Sequence, residues 1–155
     1  MNTDTVDINE IYKMLNWENS ADVRSEGIRL AKELKDLSLL IQPPAPPSVW
    51  ECCAQILCQK SDSDLEPYLS GLLDWLHDLN WPGAADILNR LMIFSGKMLK
   101  ESFIASCDSA IGLGDEGIMW LCNLAELLNN KQLKSELPHE IIKKLIDVNR
   151  WVSES

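Results

Sequence analysis

The sequence predicts an all-α protein. Apolar residues recur at three- and four-residue intervals from end to end, no segment sustains the apolar–polar alternation of a strand, and no Asn-Gly or Asp-Gly hairpin turn occurs. Seven or eight short helices are expected, arranged as stacked pairs of the HEAT or armadillo kind or, alternatively, as an irregular helical bundle. Connections of about two to five residues, and starts of alternate helices roughly 32–43 residues apart, favour the stack. The best internal echo pairs Trp75-Leu76-x-Asp78-Leu79 with Trp120-Leu121-x-Asn123-Leu124.

Ile8, Ile11, Tyr12 and Leu15 form the first stripe. Val23, Gly27, Leu30, Ala31 and Leu34 form the second, with Asn19 or Ser20 placed to cap its start. Between this helix and the next, which carries Val49, Cys52, Cys53, Ile56 and Leu57, lies Gln42-Pro43-Pro44-Ala45-Pro46-Pro47. Its prolines cannot continue a helix and favour an extended form. A stiff connector at 42–47 is the plain reading, and a ligand for an SH3-like domain is the functional one.

The clearest helix runs through Leu65, Tyr68, Leu69, Leu72, Leu73, Leu76 and Leu79, with Asp62, Ser63 and Asp64 at its dipole-favoured start. Pro82 suits the first turn of a new helix bearing Ala84, Ile87, Leu88, Leu91 and Phe94. Leu99, Phe103, Cys107, Ala110 and Ile111 mark another, stopped by Gly112-Leu113-Gly114. Asp115 can cap the stripe of Leu121, Leu124, Ala125 and Leu128, which Asn129-Asn130 ends. Pro138 opens a last helix with Ile141, Ile142, Leu145, Val148 and Val152 inward.

The 155 residues suit one domain over 1–155, and 46% apolar with 25% charged residues describes an ordinary globular chain. Fourteen Lys+Arg against 24 Asp+Glu give a net charge of −10. Such a surface repels phosphate backbones and anionic membranes and attracts a basic protein partner. Neither nucleic acid nor membrane is therefore expected as a partner. Lys131, Lys134, Lys143, Lys144 and Arg150 are the only loose basic gathering. The polar start Met1-Asn2-Thr3-Asp4-Thr5-Val6-Asp7 lacks the basic and apolar regions of a secretory signal, which predicts a cytoplasmic protein. Cys52, Cys53, Cys58, Cys107 and Cys122 are odd in number and match neither a disulfide scaffold nor a zinc spacing, so they read as reduced core thiols.

No cofactor, metal or catalytic residue is predicted. His77 and His139 lack metal-binding spacing, and His77 falls on the polar face of its helix, where a solvated ring is the default. Gly112-Leu113-Gly114 lies between helices and does not resemble a phosphate-cradling loop. The informative tract is Leu72 to Ala84. Helical spacing puts Leu69, Leu72, Leu76 and Leu79 inward and Trp75 at the stripe's edge, with Asp78, Gly71 and Asp64 just beyond it. With Asn80 and Trp81 in the following turn, these five residues (Asp74, Trp75, Asp78, Asn80 and Trp81) form a candidate partner-binding surface of aromatic and acidic groups. The competing expectation is that both indoles pack internally while Asp78 and Asn80 cap the turn.

The run Trp75-Leu76-His77-Asp78-Leu79-Asn80-Trp81-Pro82-Gly83-Ala84 resembles the hallmark of a family of small bacterial proteins of unknown function. Its members share Trp-Leu-x-Asp-x-Asn-Trp-Pro followed by a small residue. The resemblance extends from Leu15-Asn16-Trp17-Glu18-Asn19 and Gly27-Ile28-x-Leu30-Ala31 to the helix ending at Asn129-Asn130. It implies a HEAT-like helical fold and no particular activity; helical-repeat proteins of this size in bacteria are often adaptors or immunity proteins that neutralise a toxin. A non-enzymatic protein-binding module is the expected function, with an immunity or antitoxin-like role against a basic partner. The alternative is a small hydrolase or transferase using carboxylates in a helical groove, which requires a buried cluster of Asp, Glu or His with perturbed pKa values.

Overall fold

A computed structural model describes residues 7–154, and every regular element among them is an α- or 3-10 helix. The polar start at residues 1–6 lies outside the described residues. No helix among the described residues is long and apolar enough to cross a membrane.

Helices α1 (Ile8–Leu15) and α2 (Ala21–Ala31) pack together through Gly27, where a Cβ would come within 2.8 Å of the Met14 Cβ. The Ser20 hydroxyl accepts from the Val23 N–H and caps α2, while the Asn19 side chain donates to the Met14 carbonyl at 3.1 Å. Val23, expected inward, is exposed because α2 turns toward α1 through Gly27 and Ala31. The proline-rich connector is not a free ligand strand. Pro43 is buried and its carbonyl accepts from the indole N–H of Trp50 at 3.1 Å, in helix α3 (Trp50–Cys58). Gln42 before it takes a positive φ of 40°.

The expected long helix from Asp62 is broken into α4 (Asp62–Leu65), a 3-10 turn (Glu66–Tyr68), α5 (Leu69–Asp74) and a second 3-10 turn (Trp75–His77). Pro67, which lacks an N–H, sits in the first of these turns. The stripe survives the breaks: Leu65, Leu69, Leu72, Leu73 and Leu76 are all buried. Helix α6 (Ala84–Met92) starts two residues after Pro82, behind Gly83 in the left-handed conformation, so Pro82 belongs to the turn and not to the helix.

Helix α7 (Gly96–Gly112) is capped by the Ser95 hydroxyl and stops at Gly112-Leu113-Gly114, with Gly114 at φ 62°. Ile111, expected inward, is exposed near that end. Asp115 does not cap the next helix; it falls within a 3-10 turn (Gly114–Gly117) that leads directly into α8 (Ile118–Ala125).

A helix absent from the sequence reading, α9 (Lys131–Glu136), follows the 3-10 turn at Glu126–Asn129. Asn130 is the cause. It is buried, its side-chain oxygen accepts from the Leu133 N–H at 3.1 Å, and its amide donates to the Leu91 and Phe94 carbonyls at 2.9 and 3.0 Å. One side chain thus starts α9 and ties it to two carbonyls at and just beyond the end of α6. Gly96 lets α9 lie directly on α7, since a Cβ there would meet the Gln132 carbonyl carbon at 2.3 Å. The last helix, α10 (His139–Glu154), buries Ile141 and Leu145, whereas Val152, Ile146 and Trp151 are exposed.

Consecutive helices α1 and α2, and α7 and α8, pack together; α5 on α7, α7 on α9 and α8 on α10 pair next-but-one helices, and α3 packs on α6. One hydrophobic core runs from Ile11 in α1 to Leu145 in α10.

Candidate functional site

The tract from Asp74 to Ala84 forms a corner where helical winding stops and restarts in another direction. At Asp78 the backbone becomes extended, with φ −141° and ψ 109°. Its carboxylate accepts from the Asn80 N–H at 2.8 Å and its carbonyl from the Trp81 N–H at 3.1 Å. Short Asx side chains commonly close turns in this way. Gly83 then adopts φ 85°, and its missing side chain is obligatory for a second reason: a Cβ would lie 2.6 Å from that of Ala54 and 3.0 Å from the Trp75 ring.

Tryptophans hold the corner closed. Trp75 is fully buried and its indole N–H donates to the Pro82 carbonyl at 3.0 Å. The Trp50 ring meets Trp75 edge-on at 6.2 Å between centroids and Trp81 at 6.0 Å, both near-perpendicular arrangements favoured by the ring quadrupole. On the other side, Trp120 of α8 donates its indole N–H to the Leu73 carbonyl at 3.0 Å, and the Asn123 amide donates to the Leu76 carbonyl at 2.8 Å. Carbonyls at the end of a helix lack internal donors. The two tracts that echo each other in sequence are therefore partners in space, one supplying donors to the other.

His77 stacks on Trp120 with centroids 3.7 Å apart and planes 18° from parallel. Its Nδ1 lies 2.7 Å from the Asp74 carbonyl, a contact between ring nitrogen and carbonyl that requires the proton on Nδ1. The ring is thus half-buried and held from two sides, not the solvated histidine expected from helical projection.

The five candidate residues separate clearly. Trp75 is enclosed and does not present its indole to a partner, correcting the expectation that it lies on the outer edge of the stripe. The reason is what packs around it: Trp50 of α3 meets the ring edge-on, the turn at Gly83 closes against it, and the Pro82 carbonyl takes its N–H. Asp78 is half-buried with its carboxylate engaged in the turn. Asp74, Asn80 and Trp81 reach solvent, Trp81 at 36% exposure. Partial loss of water holds the Asp74 carboxyl above its usual pKa, an effect that the nearby His77 offsets in part.

A second hollow of about 490 Å³ lies between α3 and α6, lined by Gln55, Cys58, Gln59, Asp86, Asn89, Arg90 and Ile93. Arg90 is anchored: it donates to the Asp62 carboxylate at 2.6 Å and to the Lys60 carbonyl at 3.0 Å, and sits over the Phe94 ring. Asp62 also accepts from the Ser95 N–H at 3.0 Å, so the pair ties the start of α4 to the α6–α7 junction. Nothing in the sequence marks this pair, whose members are far apart along the chain. The Cys58 thiol donates to the Asp86 carbonyl at 3.3 Å, and burial pushes it up to about 11. Burial likewise pushes Cys53 and Cys107 up to about 12. Thiols in this state are protonated at neutral pH and poor nucleophiles. Among the described residues no group of three or more His, Cys, Asp or Glu is placed to hold a metal ion.

Fold and corner together define an all-helical protein whose tryptophan-rich turn is set by its own hydrogen bonds. Residues 51–147 match the family model described as "Domain of unknown function (DUF5071)", and the chain belongs to that family. The matched span opens in α3, after the proline-rich connector, and reaches into α10. It therefore takes in the first part of the last helix and leaves out α1 and α2, a different extent from the resemblance drawn on sequence. No curated protein and no solved structure matches the chain.

Proposed function

We propose that this protein is a non-enzymatic binding module that docks a basic protein partner at the Asp74–Trp81 corner. One observation carries the reading: the use of the indole N–H groups. Trp50, Trp75 and Trp120 each donate to a carbonyl of the chain. Trp81, which packs on Trp50 in the same aromatic cluster, makes no such bond and remains 36% exposed, and Asp74 and Asn80 are exposed as well. A rigid aromatic with an unused donor, beside acidic and amide groups, has the composition of an interface hot spot. The net charge of −10 supports a basic partner, whose encounter it accelerates.

Within this reading the chain acts as an immunity or antitoxin-like protein, intracellular and built from stacked helix pairs. The next-but-one packing of α5 on α7, α7 on α9 and α8 on α10 supports the stack. The test is capture from a native lysate by the wild-type protein and by a variant carrying Asp74→Lys and Asn80→Lys, both at exposed positions. The expected result is a captured protein that dissociates with rising salt and is lost in the variant, with unchanged far-UV circular dichroism. Equal capture by both proteins removes this corner as the docking surface.

A further inference from the structure

We propose that the hollow between α3 and α6 receives a short extended segment of a partner polypeptide, held by main-chain hydrogen bonds to the side-chain amides of Gln55, Gln59 and Asn89. The hollow is separate from the Asp74–Trp81 corner, and the proposal does not rest on that corner. Gly83 lies against Trp50 and Ala54, the Cys58 thiol donates to the Asp86 carbonyl, and Arg90 donates to the Lys60 carbonyl. Helices α3 and α6 therefore run side by side in the same direction. Gln55 and Gln59 line the hollow from α3 and its end, and Asp86, Asn89, Arg90 and Ile93 line it from α6 and its end.

The lining selects the occupant by its chemistry. Among the described residues the amides of Gln55, Gln59 and Asn89 make no hydrogen bond, so three groups that both donate and accept are open at one place. Arg90 is held at this hollow through Nη2, which donates to the Asp62 carboxylate and the Lys60 carbonyl. Its N–H groups on Nε and Nη1 have no acceptor among the described residues and are not sealed from solvent, which leaves fixed donors for a carbonyl. The Arg90 charge is balanced by Asp62, and Asp86 stands outside the ion pairs of the described residues, so the lining disfavours an anion. A neutral ligand carrying donors and acceptors in alternation fits, and the peptide main chain is such a ligand. The spacing agrees: Gln55 and Gln59 are separated by about 6 Å along the helix axis, and alternate residues of an extended chain by about 6.7 Å. From Asp86 to Ile93 is about 10 Å, room for about three extended residues. Ile93, 73% exposed at the far end, offers an apolar contact to a side chain of that segment.

The test uses the full chain and two probes: the blocked tripeptide acetyl-Thr-Val-Thr-methylamide, whose β-branched residues favour the extended form, and its counterpart methylated at every main-chain nitrogen. Binding is followed by the side-chain amide ¹⁵N–¹H resonances, assigned by their loss in Gln55→Ala, Gln59→Ala and Asn89→Ala. The three amide signals are expected to shift together and saturably with the first probe. The methylated probe keeps the side chains but has no main-chain donor, and its binding is expected to be weaker by about tenfold. Gln59→Ala and Asn89→Ala, both at exposed positions, are each expected to weaken the first probe by about threefold or more, with far-UV circular dichroism unchanged. Absence of a saturable shift, equal binding of the two probes, or undiminished binding in both variants overturns the proposal. A response confined to the Trp81 indole, with the three amides unmoved, also overturns it and leaves the corner standing as the docking surface.

Discussion

The indole N–H of Trp75 donates to the main-chain carbonyl of Pro82 at 3.0 Å, so the end of one helical run and the turn that follows it form a single hydrogen-bonded unit. The bond explains why a large aromatic with a polar edge occupies a fully buried position. Its N–H is satisfied inside the protein, which makes burial of the remaining ring favourable.

Replacing Trp75 tests that unit in two steps. Trp75→Phe keeps an aromatic ring but removes the donor, and is expected to cost about 1–3 kcal/mol because the half-buried Pro82 carbonyl loses its partner. Trp75→Ala also opens a cavity against Trp50 and Gly83, for an expected loss of about 3–5 kcal/mol. Urea denaturation measures both, and equal effects of the two substitutions would show that loss of the donor, and not of packing, carries the cost.

Gly83→Ala addresses the backbone. The position has φ 85°, and the added methyl would meet the Ala54 Cβ at 2.6 Å. Left-handed strain and overpacking are expected to destabilise by at least about 2 kcal/mol. A thermal midpoint unchanged from wild type would contradict the close approach of α3 to this turn.

The Asp62–Arg90 pair is suited to a double-mutant cycle. The Arg90 side chain is 11% exposed and that of Asp62 31%, so neither is freely screened by water. Asp62→Ala is expected to cost about 2–3 kcal/mol, since it strands a guanidinium and removes the acceptor of the Ser95 N–H. Arg90→Ala added to it is expected to cost much less than Arg90→Ala alone. Strict additivity would show that the two residues do not act together.

The thiols predict a dependence on alkaline pH. Cys53 and Cys107 ionise near the ordinary 9.0 when unfolded and are pushed up to about 12 in the folded protein. Above pH 9 the unfolded chain binds fewer protons than the folded one, so the stability they contribute is intact below pH 9 and is lost progressively as pH rises toward 12. Denaturation midpoints measured at pH 8 and pH 10.5 are expected to fall less in a Cys53→Ala, Cys107→Ala variant than in wild type. Parallel losses would assign the alkaline instability to other groups.

The all-helical class and most of the inward stripe were legible from spacing alone, because the three- and four-residue period is a local property of a helix face. Leu15, Ala31, Leu57, Leu72, Leu76, Leu91, Leu99, Phe103 and Leu124 are buried as that period requires. Departures occur where the backbone leaves α-helical geometry. Trp75 is enclosed by Trp50 and the turn at Gly83, and His77, in the 3-10 turn at Trp75–His77, lies on Trp120; projection at α-helical spacing cannot show either contact. Helix α9 escaped notice because Asn130 is anchored by the Leu91 and Phe94 carbonyls, partners nearly forty residues away.

The sequence by itself determined the helical class, the stop at Gly112-Leu113-Gly114, a cap at Asn19 or Ser20 and the unusual tract from Trp75 to Ala84. Only the tertiary structure decided which tryptophans of that tract face inward, that Trp120 and Asn123 supply donors to it, and that Arg90 is locked to Asp62. Period and capping act over a few residues and leave their mark in the string of letters. Hydrogen bonds and ring contacts between distant segments depend on where packing brings them, and a single sequence does not encode that as a local pattern.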